Sequence, residues 1–265
     1  MPKVAVFGVT GRMGQCLVRA LREPASALQL GGALASAASR YLGQDAALEG
    51  PASGVRVTAE PLAALGDAAV AVDFSLPQGV AEHAAVCVDR RVALLVGATG
   101  FDAAVRGKLE SAARTIPVLI APNTSIGVAV MTHLVEVAAR ALGERYEAEI
   151  SELHHRGKRD APSGTALAWG EAIARVRGAE LRELAVFDRH GSSGPRAPGS
   201  IGFASLRAGD VVGEHTAVLA ADGERLELTH RAQDRMVFAR GALAAASWLL
   251  ERPAGLYGMQ NVLGF

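Results

Sequence analysis

A two-part α/β chain is predicted by three features of this 265-residue sequence. Short apolar runs alternate with helical patterns through residues 1–125, a glycine-rich turn follows the first run, and beyond residue 142 the pattern changes to alternating strands, the first at 146–151. Continuous apolar strands separated by helices imply a parallel sheet covered on both faces, so the first part is expected to be a Rossmann-like, doubly wound domain. The second is expected to be a smaller α+β domain with a mixed or antiparallel sheet.

Strands of the first part are expected at residues 4–7, 28–34, 55–58, 68–74, 92–96 and 118–120. Between them, a helix at 12–22 carries Met13, Leu17, Val18 and Leu21 on one stripe, a second at 78–89 follows Pro77, and a third at 102–114 follows Gly100. A helix at 128–142 leads into the second part. There the pattern gives a half-buried strand at 146–151, a polar loop carrying His154 to Pro162, a helix at 164–177 and a Gly/Ser/Pro-rich loop at 191–200. Strands follow at 201–207, 211–220 and 224–230, and Asp222-Gly223 between the last two is a hairpin turn signal. A helix at 237–250 and an apolar tail at 256–265 are expected to return to the first domain. The boundaries are therefore 1–125, 126–234 and 235–265, with hinges near 125 and 235.

Composition narrows the function classes. Twenty-seven basic and 27 acidic side chains cancel, which leaves no broad field to attract nucleic acid. Half the residues are hydrophobic and mean hydropathy is +0.21, yet no apolar stretch approaches the ~18 residues of a membrane span. The first apolar run, 4–8, is too short for a signal segment, so a cytoplasmic protein is expected. Cys16 and Cys87 lie far apart in apolar helical patterns and read as small core residues. Among the basic residues only Lys3, Lys108 and Lys158 are lysine. Where the chain writes arginine by default, a lysine invites the question of whether a compact, titratable ammonium is needed.

Gly8-Val9-Thr10-Gly11-Arg12-Met13-Gly14 follows a strand and opens a helix, the context in which such a stretch binds a dinucleotide. Gly8 permits the tight turn, Gly11 lets backbone approach a pyrophosphate, and Gly14 lets helix pack on strand. A site for NAD normally has an acid after the second strand. Residues 34–40 contain none; Ser36, Ser39 and Arg40 instead suit a 2′-phosphate, although Arg40 reads equally as a solvated loop cation. Gly97-Ala98-Thr99 and Ala121-Pro122-Asn123-Thr124, at later strand ends, offer small residues where a nicotinamide ring could lie.

The densest polar cluster runs from Glu152 to Thr165 and holds His154, His155, Lys158, Asp160 and Ser163-Gly164-Thr165. Two imidazoles and an ammonium in one loop, followed by a helix start with free amides, suit a small carboxylate substrate. Ser163 is also a good N-cap, and Asp160 can anchor the loop. No metal is expected, since neither cysteine is near and the ligand spacing is wrong for zinc. His83, His133, His190, His215 and His230 read as structural or surface histidines.

These stretches resemble the dihydrodipicolinate reductase family nearly end to end. The likeness is carried by Gly11-Arg12-Met13-Gly14, Val72-Asp73-Phe74-Ser75, Ala121-Pro122-Asn123 with Ser125 and Gly127, Glu152 to Thr165, Gly209 to His215, and Gly255-Leu256-Tyr257 with Met259. The resemblance implies reduction of a cyclic dicarboxylate substrate, with His154 as acid/base, Lys158 as proton donor, and His155, Gly164 and Thr165 at the substrate; Ser163, at the same helix start, is expected to combine its cap with substrate binding. It implies NADPH or NADH held by Gly8, Val9, Thr10, Gly11, Arg12, Met13, Gly97, Ala98, Thr99, Ala121, Pro122, Asn123 and Thr124, to which the residues after the second strand add Ser36 and Arg40 as expected cofactor contacts. It also implies a homotetramer formed through the sheet of the second domain, which would serve substrate binding and oligomerisation. Ala98 stands where the family commonly has threonine, and Ala35 where many members have the ribose-binding acid, so NADPH is expected to serve at least as well as NADH.

Overall fold

The computed structural model describes residues 1–191 and 194–265; positions 192 and 193 of the loop expected at 191–200 lie outside the described residues. The chain divides into two compact units, Met1–Ile126 with Arg235–Phe265, and Gly127–Asp234.

The first unit opens with β1 (Lys3–Phe7), α1 (Arg12–Ala20), β2 (Gln29–Leu34), α2 (Pro61–Leu65), β3 (Val70–Asp73), α3 (Val80–Arg90), β4 (Ala93–Val96), α4 (Ala103–Ala112) and β5 (Pro117–Ile120). Local chemistry sets the helix starts. Pro61 occupies the first turn of α2, where its missing N–H leaves no helical bond unmade, and the Asp102 carboxylate caps α4 by accepting from the Val105 amide at 2.9 Å. β3 and β4 are buried along their whole length, as strands covered on both faces must be.

The second unit holds α5 (Ile126–Leu142), which starts at the boundary, then β6 (Glu147–His154), α6 (Gly164–Val176), α7 (Leu181–Leu184), β7 (Ala185–Val186), β8 (Ile201–Arg207), β9 (Gly213–Ala221) and β10 (Glu224–Ala232). Its sheet has the order β10-β9-β6-β8-β7. β9 is antiparallel to β6 and β10, while β8 is parallel to β6 and β7, so the sheet is mixed. Val135, Trp169 and Ile173 from the helices pack with Ile150, Ile201, Phe203, Ala217 and Leu219 into one core. The other face, with Ser151, Thr216 and Val218, stays half-buried.

The chain then re-enters the first unit as α8 (Met236–Leu249), β11 (Gly255–Tyr257) and α9 (Met259–Leu263). β11 pairs in parallel with β5, completing a six-stranded, all-parallel sheet of order β11-β5-β4-β3-β1-β2. The expected doubly wound sheet and second mixed sheet are both present.

Two element expectations need correction. Residues 55–58 form no strand of the sheet: they make only isolated bridges, Leu34 with Thr58 and Asp45 with Arg56. The segment's own donors are spent locally: the Val55 amide donates to Ser53 Oγ and the Val57 amide to the Gln44 carbonyl, so that only the Thr58 amide, donating to the Ala33 carbonyl, reaches β2. The polar loop also starts later than expected. His154 is the last residue of β6, because Glu152 and His154 on its inner face find buried partners and so continue the strand through charged sequence.

Candidate active site

In the first unit β1 lies between β2 and β3, so the chain leaves β1 in one direction and later crosses back to the other side. That switch point, at the carboxyl ends of β1 and β3, is where parallel sheets bind ligands. The glycine turn fills it. Gly8 has φ +78°, and a Cβ there would lie 2.6 Å from the Phe74 carbonyl oxygen; one on Gly14 would lie 2.4 Å from the carbonyls of Gly8 and Val9. The turn is fixed by the Gly8 and Val9 amides, both donating to the Leu34 carbonyl at 3.0 Å. No side chain caps α1 and its first turn carries no acid, which leaves the helix opening to an anion. This cradle of bare backbone fits a dinucleotide pyrophosphate.

The remaining cofactor candidates sit on neighbouring strand ends of the same sheet. Ser36 and Arg40 follow β2; both are exposed, Ser36 Oγ accepts from the Ala38 amide, and the Arg40 guanidinium stacks on Tyr41 and donates to its hydroxyl at 2.7 Å. Gly97, Ala98 and Thr99 follow β4, and the Gly97 and Ala98 amides donate to the Asp73 carbonyl. Ala121, Pro122, Asn123 and Thr124 follow β5. The Thr124 hydroxyl is turned inward to the Phe238 carbonyl at 2.7 Å, so only its backbone faces outward chemistry. Beneath the turn, buried Asp73 accepts from His83 Nδ1 at 2.7 Å and from the Ser75 amide at 2.8 Å, fixing the β3 end.

The second unit gathers the polar cluster around the end of β6. Residues two apart on a strand share a face, which puts Glu152 beside His154. His154 Nδ1 donates to Glu152 Oε2 at 2.5 Å. Arg207, opposite His154 on β8, donates from both terminal nitrogens to the two Glu152 oxygens at 2.8 Å each, and again to the Asp160 carbonyl at 2.7 Å. Burial pushes the Glu152 carboxyl up, but the bonds from Arg207 and His154 pull harder and hold it at about 2. Burial lowers His154, opposed by Glu152. His215, across from Glu152 on β9, is pushed by burial, and further by His154, down to about 3.

Around this core lie the other candidates. Lys158 pairs with Asp160 through contacts of 2.8 and 3.0 Å, and its amide donates to the His155 carbonyl. Ser163 is buried; its hydroxyl accepts from the Ala166 amide to cap α6 and lies 2.7 Å from His215 Nε2, while its own amide donates to Glu152. Gly164 and Thr165 begin α6, and a Cβ on Gly164 would meet nothing within 4 Å. The structure thus joins His154, His155, Lys158, Ser163, Gly164 and Thr165 on one segment. Sequence reasoning assigned no role to Glu152 or Arg207 and read His215 as a structural or surface histidine. The spacing of Glu152 from His154 was a usable signal; the other two reach the cluster only through strand register.

Among the described residues no group of three or more His, Cys, Asp or Glu side chains converges as a metal site, and no helix is long and apolar enough to cross a membrane. A pyrophosphate cradle on one unit and an acid–base loop on the other are the layout of a two-domain pyridine-nucleotide oxidoreductase. Comparison with known proteins specifies which. The chain belongs to the dihydrodipicolinate reductase family: residues 2–124 match the model of its N-terminal part and residues 127–263 that of its C-terminal part. The 4-hydroxy-tetrahydrodipicolinate reductase of Thiobacillus denitrificans is 48% identical over 263 residues, 99% of this chain and 98% of that protein. The enzyme of the same name from Chromobacterium violaceum is 46% identical over 262 residues, 98% of each. A dipicolinate-bound dihydrodipicolinate reductase from Paenisporosarcina sp. TG-14 superposes with a TM-score of 0.78 at 26% identity, covering 98% of this chain and 99% of that one. The resemblance read from the motifs is borne out.

Proposed function

We propose that this chain reduces 4-hydroxy-tetrahydrodipicolinate to tetrahydrodipicolinate, with loss of water, in lysine and diaminopimelate biosynthesis. The observation that carries this reading is the single segment from His154 to Thr165, which sets an imidazole, an ammonium and a helix N-terminus together in a chain of this family. A reduced dinucleotide with its pyrophosphate at the glycine turn would supply the hydride from its nicotinamide. His154 protonates the enamine that develops on the ring, and its Nε2 is the nitrogen available, because Nδ1 is occupied by Glu152. Lys158 neutralises a ring carboxylate. Its partner Asp160 is 63% exposed at the side chain, and such a pair is worth only ~0–1 kcal/mol, so exchanging it for a substrate carboxylate costs little. The α6 start at Gly164 and Thr165, with His155, receives the second carboxylate.

On the cofactor, either NADPH or NADH is used, and the absence of an acid after β2 favours NADPH. Assembly into a homotetramer would use the half-buried outer face of the second sheet, where Ser151, Thr216 and Val218 are small enough for close approach; sedimentation at low micromolar concentration tests it. The activity is tested by NADPH oxidation with substrate generated from pyruvate and aspartate semialdehyde. Turnover that is blocked by pyridine-2,6-dicarboxylate is expected. Absence of turnover with either nucleotide would overturn the reading.

A further inference from the structure

Glu152 is a carboxylate with 1% side-chain exposure that the proposed chemistry does not use. Burying it costs several kcal/mol unless every lone pair is met. Here they are met: Arg207 takes both oxygens, His154 Nδ1 takes one of them at 2.5 Å, and the Ser163 amide approaches the other at 3.3 Å. A salt bridge kept for stability alone needs no histidine in its plane. Across the sheet on the other side, β9 presents a gap. Leu153 pairs with Glu214, so the residue facing His154 is Gly213, and a Cβ there would stand 3.0 Å from His154 Nε2.

We propose that Glu152 is the positioning residue of this site: clamped by Arg207, it holds the Nδ1–H of His154, so that Nε2, over the bare backbone of Gly213, is the nitrogen that meets substrate. The inference rests on the reading of His154 as the acid. Fixing one ring nitrogen with a carboxylate selects the tautomer and stabilises the imidazolium that must exist before a proton is given. The charged and titratable groups facing the ring are Glu152 from its own strand, Arg207 from β8, His215 from β9, and Lys158 from the following loop. Glu152 is the one anion bonded to it, set against two cations. Gly213 acts differently, by leaving room.

Glu152→Gln tests this. The amide matches the carboxylate in shape but not in charge, so kcat should fall ~10–100-fold with KM within a few-fold. Because the acid form is then less stable, the alkaline fall of kcat should move to lower pH. Gly213→Ala should also lower kcat but leave that limb in place. A Glu152→Gln enzyme with wild-type kcat, or one that only melts earlier with its pH limb unmoved, would overturn the inference while leaving His154 as the acid; full kcat in His154→Gln would remove both. Should Glu152→Gln not fold, the imidazole 15N shifts of the wild-type protein decide. Protonated Nδ1 with bare Nε2 in the neutral ring is expected, and the opposite tautomer overturns the inference.

Discussion

Ser163 Oγ lies 2.7 Å from His215 Nε2, joining the capped start of α6 to the middle of the second sheet. His215 is buried, its ring stands edge-on to that of His154 at 5.0 Å between centroids, and its Nδ1 has no partner among the described residues. A proton on this ring would be a buried charge close to other cations. Burial, with His154 next, therefore pushes its pKa from the ordinary 6.5 to about 3.

That shift makes stability depend on pH. Between about 3 and 6.5 the unfolded chain protonates His215 and the folded chain does not, so the unfolded state binds more protons and stability rises with pH. The contribution is complete above the unfolded value and lost progressively as pH falls toward about 3. Melting temperature should drop from pH 7.5 to pH 5, and His215→Gln should shrink the drop. An equal drop in the variant would show that His215 titrates alike in the folded and unfolded chain.

His154→Gln should leave nucleotide affinity intact, since the glycine turn belongs to the other unit, and lower kcat by ~10²–10⁴-fold, the usual contribution of a general acid. Nucleotide titration followed by fluorescence, with steady-state rates at saturating substrate, separates the two effects. Full kcat in the variant would take His154 out of the chemistry.

Lys158 is a lysine in a chain that otherwise writes arginine almost throughout. Lys158→Ala should raise KM and lower kcat, losing a charge-assisted bond of roughly 1.5–3 kcal/mol. Lys158→Arg keeps the charge but not the compact ammonium, so it should recover part of KM and most of kcat; a kcat as low as that of Lys158→Ala would make Lys158, not His154, the source of the proton. If arginine restores kcat in steady-state assays, Lys158 is an electrostatic clamp only.

NADPH should be used at least as well as NADH. Arg40 is exposed beside Ser36, and its stacking on Tyr41 holds the guanidinium at the β2 end rather than leaving it to wander. Arg40→Ala with Ser36→Ala should weaken NADPH more than NADH, as read from the ratio of kcat/KM. An unchanged ratio would place the 2′-phosphate elsewhere.

Periodicity and turn chemistry made most of this architecture legible. Apolar runs such as Val70–Asp73 in β3 and Ala93–Val96 in β4 are buried on both faces and announce a parallel sheet without any knowledge of their neighbours. The segment from His154 to Thr165 was legible because its chemistry is contiguous. What could not be read was pairing across strands. Arg207 is 55 positions from Glu152 and meets it only because β8 runs parallel to β6 in one register. The end of β6 was misplaced for a related reason: charged residues look like loop until their partners are known. Ser163 was read as both cap and substrate contact, and its hydroxyl is committed to Ala166 and His215.

β11 seals the edge of the first sheet against β5 with residues made after the whole second unit, and α8 packs so closely that a Cβ on Gly241 would collide with the Thr124 carbonyl. On the ribosome, then, the second unit is complete in the nascent chain while the first still shows an unpaired strand edge. Open edges recruit other strands, and nascent units fold in the order they emerge. The late arrival of residues 235–265 therefore makes the first unit, which the chain begins, the later of the two to complete its sheet.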